Sequence, residues 1–159
     1  METVPADVEK LIQGRPLIAN LSTSVDDRPH VVPLWYRYFD GKIQFTTSGK
    51  KLKNARQNPQ VAVAIERSVD GIPLWMVLLR GRARILDDEE EIKTVTRKIY
   101  SKYMGADDDE WADFYQQKAT SPDDDRIIEV DVSSVVKHHS PGVDPDGFID
   151  RQMMFDHRD

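Results

Sequence analysis

Asp40-Gly41 stands between two runs rich in aromatic and β-branched residues, His30–Phe39 and Lys42–Thr47. An Asp-Gly pair in that setting is among the firmest short-range signals for a two-residue hairpin, because both residues accept a positive φ. Two antiparallel strands are therefore expected here, and the rest of the chain must build on them. Further strand text follows the same pattern. Leu17–Ser24 alternates apolar and polar positions and ends in a turn at Asp26-Asp27, and Val61–Glu66 and Arg126–Val132 alternate likewise. Leu74–Leu86 reads as one long strand with Val77, Leu79, Gly81, Ala83 and Ile85 on one face and Arg80, Arg82 and Arg84 on the other.

Helical text is interspersed. Val4–Gln13 places Val8, Leu11 and Ile12 at helical spacing before Gly14, and Ser48–Asn58 starts at a candidate N-cap, Ser48, and stops at Pro59. Glu89–Met104 and Asp109–Lys118 complete the set. About six antiparallel strands with short helices predict a mainly β domain, a small β-barrel with α additions, over residues 1–139. Residues 140–159 carry two Pro, two Gly and several Asp and read as a C-terminal tail.

Composition narrows the function. The chain has 39% hydrophobic and 31% charged residues, a net charge of −6 and no cysteine. Disulfides, thiolate nucleophiles and zinc–sulfur sites are excluded. Nucleic acid is not an expected partner, since phosphate-backbone binding needs a basic footprint. No run approaches the roughly 18 apolar residues of a membrane span, and the first residues lack a signal-peptide pattern, so a cytoplasmic protein is expected. Acidic runs at Asp87–Glu91, Asp107–Glu110 and Asp123–Asp125 read as solvated helix starts or loops.

Against that acidic background, Lys50, Lys51, Lys53 and Arg56 cluster without one acid. In Phe45-Thr46-Thr47-Ser48-Gly49-Lys50-Lys51 a strand delivers hydroxyls to its end, a glycine permits a tight turn, and a helix opens under two lysines. Free N–H groups at a helix start favour an anion, so a phosphate monoester suits this place; an exposed basic helix is the plainer alternative. A second segment, His30-Val31-Val32-Pro33-Leu34-Trp35-Tyr36, puts a proline inside a strand, which marks an edge or a bulge beside a flat apolar wall. That wall suits an aromatic heterocycle, and it equally suits core packing by Trp35 and Tyr36. His138-His139 are adjacent on strand-like text and point to opposite faces, so no metal site is expected from them. No Gly-x-Ser-x-Gly elbow supports nucleophilic catalysis.

The order of His30–Tyr36, the Asp-Gly hairpin, Phe45–Asn54, Asn58-Pro59 and Gly81 on a long strand resembles the pyridoxamine 5′-phosphate oxidase-like family of FMN-binding split β-barrels, over roughly Leu11–Leu86. The resemblance implies a homodimer with FMN, or in related branches the deazaflavin F420, at the subunit interface. Carried onto this chain, it places His30, Val31, Val32, Pro33, Leu34 and Trp35 under the isoalloxazine ring. It places Phe45 and Thr46 along the ribityl chain, and Lys50 and Lys51 on the phosphate, with Thr47, Ser48 and Asn54 beside them. Met76, next to Trp75, stands where oxidases of the family present a glutamine from the second subunit. Methionine lacks that amide's hydrogen bonds. The end of the chain, Arg151-Gln152-Met153-Met154-Phe155-Asp156-His157, lacks the Arg and His segment that grips pyridoxal phosphate in true oxidases.

The implied activity is therefore hydride transfer through flavin to or from an unidentified small molecule, with a reduced nicotinamide or deazaflavin as donor. An F420-dependent reductase is the nearest alternative, and a non-catalytic flavin- or haem-binding protein is the second. Catalytic residues are not identifiable from the residues themselves.

Overall fold

A computed structural model describes residues 3–139. Seven antiparallel strands form one unclosed sheet in the order β2-β1-β5-β6-β7-β4-β3. The strands are β1 (Ala19–Val25), β2 (Arg28–Leu34), β3 (Arg37–Phe39), β4 (Lys42–Thr47), β5 (Gln60–Val69), β6 (Ile72–Leu86) and β7 (Arg126–His139). Four helices accompany them, α1 (Ala6–Ile12), α2 (Lys50–Gln57), α3 (Glu89–Met104) and α4 (Asp113–Thr120). The strands at opposite edges, β2 and β3, are joined by only Trp35 and Tyr36. Two residues span at most about 10 Å, so the sheet curls until its edges nearly meet there. The result is a split barrel. No helix among the described residues is long and apolar enough to cross a membrane.

Three hairpins share one turn geometry. Asp26-Asp27, Asp40-Gly41 and Asp70-Gly71 all have positive φ at both positions, between 49° and 80°, the type I′ form whose twist matches the flanking strands. Strand parity then sorts side chains between two cores. Inward residues such as Leu21, Phe45, Val63, Leu79 and Val130 fill the barrel. Outward residues Leu86 and Ile127 are covered by Ile92, Val95, Ile99 and Tyr100 of α3, with Trp111 and Ala119 behind them.

The structure departs from sequence expectation at five places. First, His30–Phe39 is two strands, which brings the total to seven rather than six. Trp35 turns outward to the tyrosines of α3 and α4, while Tyr36 turns into the core and donates its hydroxyl to the Ile12 carbonyl at 2.5 Å. The Tyr36 N–H, which a continuous strand would offer to a ladder, donates to the Tyr103 hydroxyl at 3.2 Å. Second, Ser48 does not cap α2. Gly49 occupies that position with φ 76° and ψ −148°, and no side chain caps the helix.

Third, the Asp109–Lys118 segment is a 3₁₀ turn at Asp108–Glu110 followed by α4. Burying the Trp111 ring, whose indole donates to the Gly105 carbonyl at 2.9 Å, interrupts the helix. Fourth, β7 runs on from Val132 to His139, because β6 is long enough to pair with it up to Trp75↔His139. Fifth, the Asp70-Gly71 hairpin joins β5 directly to β6. The arginine stripe lies as expected, with Arg80, Arg82 and Arg84 exposed and Val77, Leu79 and Ala83 buried. The tail at 140–159, with its Arg151–His157 segment, lies outside the described residues.

Candidate functional site

β4 ends and α2 begins at one end of the barrel. Phe45 faces the core and is fully buried; Thr46 faces the other way and its hydroxyl lies 2.8 Å from that of Thr96 on α3. Thr47 is buried, and its Oγ1 sits 3.5 Å from the Ser48 carbonyl. Gly49 then swings the chain into α2 through a left-handed φ, and Lys50 and the half-buried Lys51 open the helix. No side chain caps that end and no acid lies in the first turn. Its leading N–H groups are thus open to an outside acceptor, beside two cations.

The rest of α2 is anchored from below. Leu52 and Ala55 pack into the barrel, and Asn54, also buried, donates from Nδ2 to the Thr23 hydroxyl at 3.1 Å. Asn54 is thereby spent on holding the helix to β1. Asn58 repeats the device, donating to the Ser24 carbonyl at 2.8 Å. Arg56 reaches Asp87 at 2.9 Å, while Lys53 is exposed.

β2 pairs only with β1 and so presents its other edge unpaired within the sheet. Pro29 and Pro33 share one parity, which places the donors they lack on the open edge. Val31 and Pro33 are exposed; His30, Val32 and Leu34 are half-buried. Trp35 leaves this wall. Its ring stacks on Tyr103 at 4.5 Å and 5° and on Tyr115 at 5.4 Å and 21°, and meets Tyr100 edge-on at 6.0 Å.

Trp75 and Met76 lie elsewhere. Trp75 is fully buried in the barrel core, so its ring cannot touch a ligand on the outer wall. Met76 is 38% exposed and borders an outer cavity of about 400 Å³ with Ala64, Leu78, Val136 and His138. Three strand spacings, about 14 Å, separate β6 from β2. Within one chain, the structure gathers the β4 end with the α2 start, but does not bring Met76 to the β2 wall.

Two arrangements escaped the reading of the sequence. Four polar side chains run across four strands: Arg37 donates to Gln44 at 3.1 Å, Gln44 to Glu129 at 2.7 Å, and Arg84 to Glu129 at 2.8 Å. Gln44 and Glu129 are buried, and only the register Gln44↔Glu129↔Arg84 makes the row visible. The second is Lys102. Its Nζ is buried with no hydrogen-bond partner, 3.5 Å from the centre of the Tyr36 ring and 4.8 Å from that of Tyr103. Burial brings its pKa down to about 7.

Comparison with known proteins places this geometry. The family model described as pyridoxamine 5′-phosphate oxidase matches residues 5–137. A solved structure named F420 reductase is 26% identical, with a TM-score of 0.64, covering 84% of this chain and 98% of that one. A conserved hypothetical protein from Mycobacterium tuberculosis is 19% identical with a TM-score of 0.68, covering 87% of each chain. An FAD-binding protein from Mesorhizobium loti is 21% identical with a TM-score of 0.62, covering 84% of this chain and 94% of that one. No curated protein gives a significant match.

Proposed function

Since this chain belongs to the pyridoxamine 5′-phosphate oxidase family, we infer that it binds FMN and acts as a flavin-dependent oxidoreductase on a small molecule. The observation that carries this reading is the start of α2: an uncapped helix end with Lys50 and Lys51 and no acid beside it. That donor set fits a phosphate monoester. FMN, when bound, supplies hydride transfer. The chain's part is to hold and orient it. Lys50 and Lys51 take the phosphate, Gly49 lets the backbone approach it closely, and the open edge of β2 at Val31–Leu34 lies along the ring. Thr46, held by Thr96, faces the linking chain from β4.

A barrel filled by its own side chains cannot enclose a flavin, so the cofactor lies on the outer wall. A second copy of this chain is its cover, bringing Met76 and the cavity beside it over the ring. A monomer in sedimentation at micromolar concentration with cofactor bound would count against that arrangement.

A second reading has a specific observation behind it. The solved structure named F420 reductase shares 26% identity over nearly its whole length, and a longer anionic tail would meet Lys53 on the same helix. Absorbance of the purified protein separates flavin from deazaflavin. Oxidation of NADH, NADPH or reduced F420 with added acceptors separates an enzyme from a carrier.

The decisive experiment is a titration of FMN and riboflavin into the parent and a Lys50→Ala, Lys51→Ala variant. Each charge-assisted contact is worth about 1.5–3 kcal/mol, roughly ten- to a hundredfold in affinity. FMN binding should therefore collapse in the variant while riboflavin, weak from the start, barely changes. Unchanged FMN affinity would remove the assignment.

A further inference from the structure

The outer face of the sheet carries a second cationic place, next to the C-terminal end of α2 rather than its lysine-bearing start. Strand register sets one row of outward residues as Ser22↔Ala62↔Arg80↔Ser134, across β1, β5, β6 and β7. Ser24 and Arg82 continue it one step along. Together with Ser133 these residues line a groove of about 530 Å³.

Three features make the groove a receptor rather than a gap. The first is a bulge in β7. Arg80 pairs with Ser134 but Gly81 pairs with Val132, so Ser133 is the extra residue. A bulge re-aims side chains, and here it sends both Ser133 and Ser134 to the groove, where strict alternation would send one. Ser133 also donates to the Arg80 carbonyl at 3.2 Å, which fixes the backbone that carries the arginine. The second is the end of the β1–β5 ladder at Ser22↔Ala62. The strands part beyond it, and alanine at the centre keeps the floor low.

The third is charge. No carboxylate lines the groove, in a chain whose net charge is −6. Arg84, next on the same face, is neutralised by Glu129 at 2.8 Å. Arg80 and Arg82 form no ion pair among the described residues. Asp131 pairs across from Arg82 on the same outward face, and the two share a neighbouring hollow with Lys42, Arg84 and Glu129, without an ion pair between Arg82 and either acid.

We propose that this groove binds a diphosphate-bearing small molecule, Arg80 and Arg82 each taking one phosphate and the serine hydroxyls the remaining oxygens. Two outward positions on one strand are about 6.6 Å apart, so two guanidiniums can share adjacent phosphates, and their planar forks match phosphate oxygens in pairs. The site is independent of Lys50 and Lys51. Lys50 and Lys51 open α2, whereas the groove meets the other end of that helix, through Asn58 on the Ser24 carbonyl and through Gln60.

Inorganic pyrophosphate is the probe, titrated calorimetrically into the full chain. The parent should bind it, and Arg80→Gln with Arg82→Gln should weaken it about a hundredfold, tenfold or more per guanidinium, with FMN affinity unchanged. Ala62→Glu, which sets a carboxylate directly opposite Arg80 while keeping both guanidiniums, should abolish it and serves if the double variant folds poorly. Lys50→Ala with Lys51→Ala should leave pyrophosphate binding intact even where FMN binding is lost. Failure of the parent to bind millimolar pyrophosphate would overturn the proposal. So would binding that survives both groove variants, or binding lost only with the lysines.

Discussion

Gly81 sits in β6 opposite the β7 bulge, and its backbone conformation is ordinary; what it lacks is room. A Cβ there would lie 2.2 Å from the Asp131 carbonyl oxygen, 2.9 Å from its carbonyl carbon and 2.9 Å from Val130 Cγ1. Two of those atoms are backbone, so no rotamer change relieves the contact. Overpacking a core costs about 1–3 kcal/mol when side chains can adjust, and a backbone obstruction puts Gly81→Ala at about 3 kcal/mol. For a domain of this size that is a fall in Tm of about 6–12 °C. Gly71→Ala is the comparison. Gly71 has φ 80° and nothing within 4 Å of its would-be Cβ, so it costs only left-handed strain, about 1–2 kcal/mol. Thermal and urea unfolding of both variants, with amide exchange at Arg80 and Val132, would show the larger loss at Gly81 and fraying confined to the bulge. A Gly81→Ala protein no less stable than Gly71→Ala would refute the reasoning.

Glu129→Ala should cost about 2–3 kcal/mol in urea unfolding, because it strands buried Gln44 without its acceptor. Arg84→Ala should cost under about 1 kcal/mol, since that side chain is 69% exposed. Asn54→Ala should lower stability by about 1–2 kcal/mol through the lost Thr23 contact, with FMN affinity, read by fluorescence titration, unchanged. Lys102 has a folded pKa of about 7, below its ordinary 10.5. The unfolded chain therefore binds more protons in between, and this residue's cost is full below about pH 7 and fades as pH rises toward 10. Lys102→Met should accordingly raise Tm most near neutral pH, and a gain that grew with pH instead would contradict this.

What was legible in the sequence was local. Asp40-Gly41 marks the β3–β4 turn because a type I′ turn demands those residues, and Glu89–Met104 has its own N-cap, Asp88, accepting from Glu91 N–H at 3.0 Å. Lys50 and Lys51 were visible as a basic run at a helix start for the same reason. Tertiary demands hid the rest. Tyr36 breaks a strand because its hydroxyl and N–H are claimed by Ile12 and Tyr103, remote in sequence. Trp35 looks like a wall for a ring until α3 and α4 are packed on it. The β7 bulge is invisible in Ser133-Ser134, since only pairing with β6 defines it. Asp70-Gly71 carries the same Asp-Gly pair between two strand-like runs and was not read as a turn from the sequence.

The position of β7 in the sheet has a consequence for biosynthesis. The last of the described strands in chain order lies between β6 and β4, so among the described residues the β3–β4 hairpin joins the other strands only through it. Thr46 must wait for Ile127, about eighty residues later. At ribosomal rates of about 5–20 residues per second, that is roughly 4–16 seconds during which an isolated hairpin, marginal in water, has no neighbour. The early strands thus emerge committed to a partner that does not yet exist, and the ladder closes on both sides only when Arg126–His139 arrives.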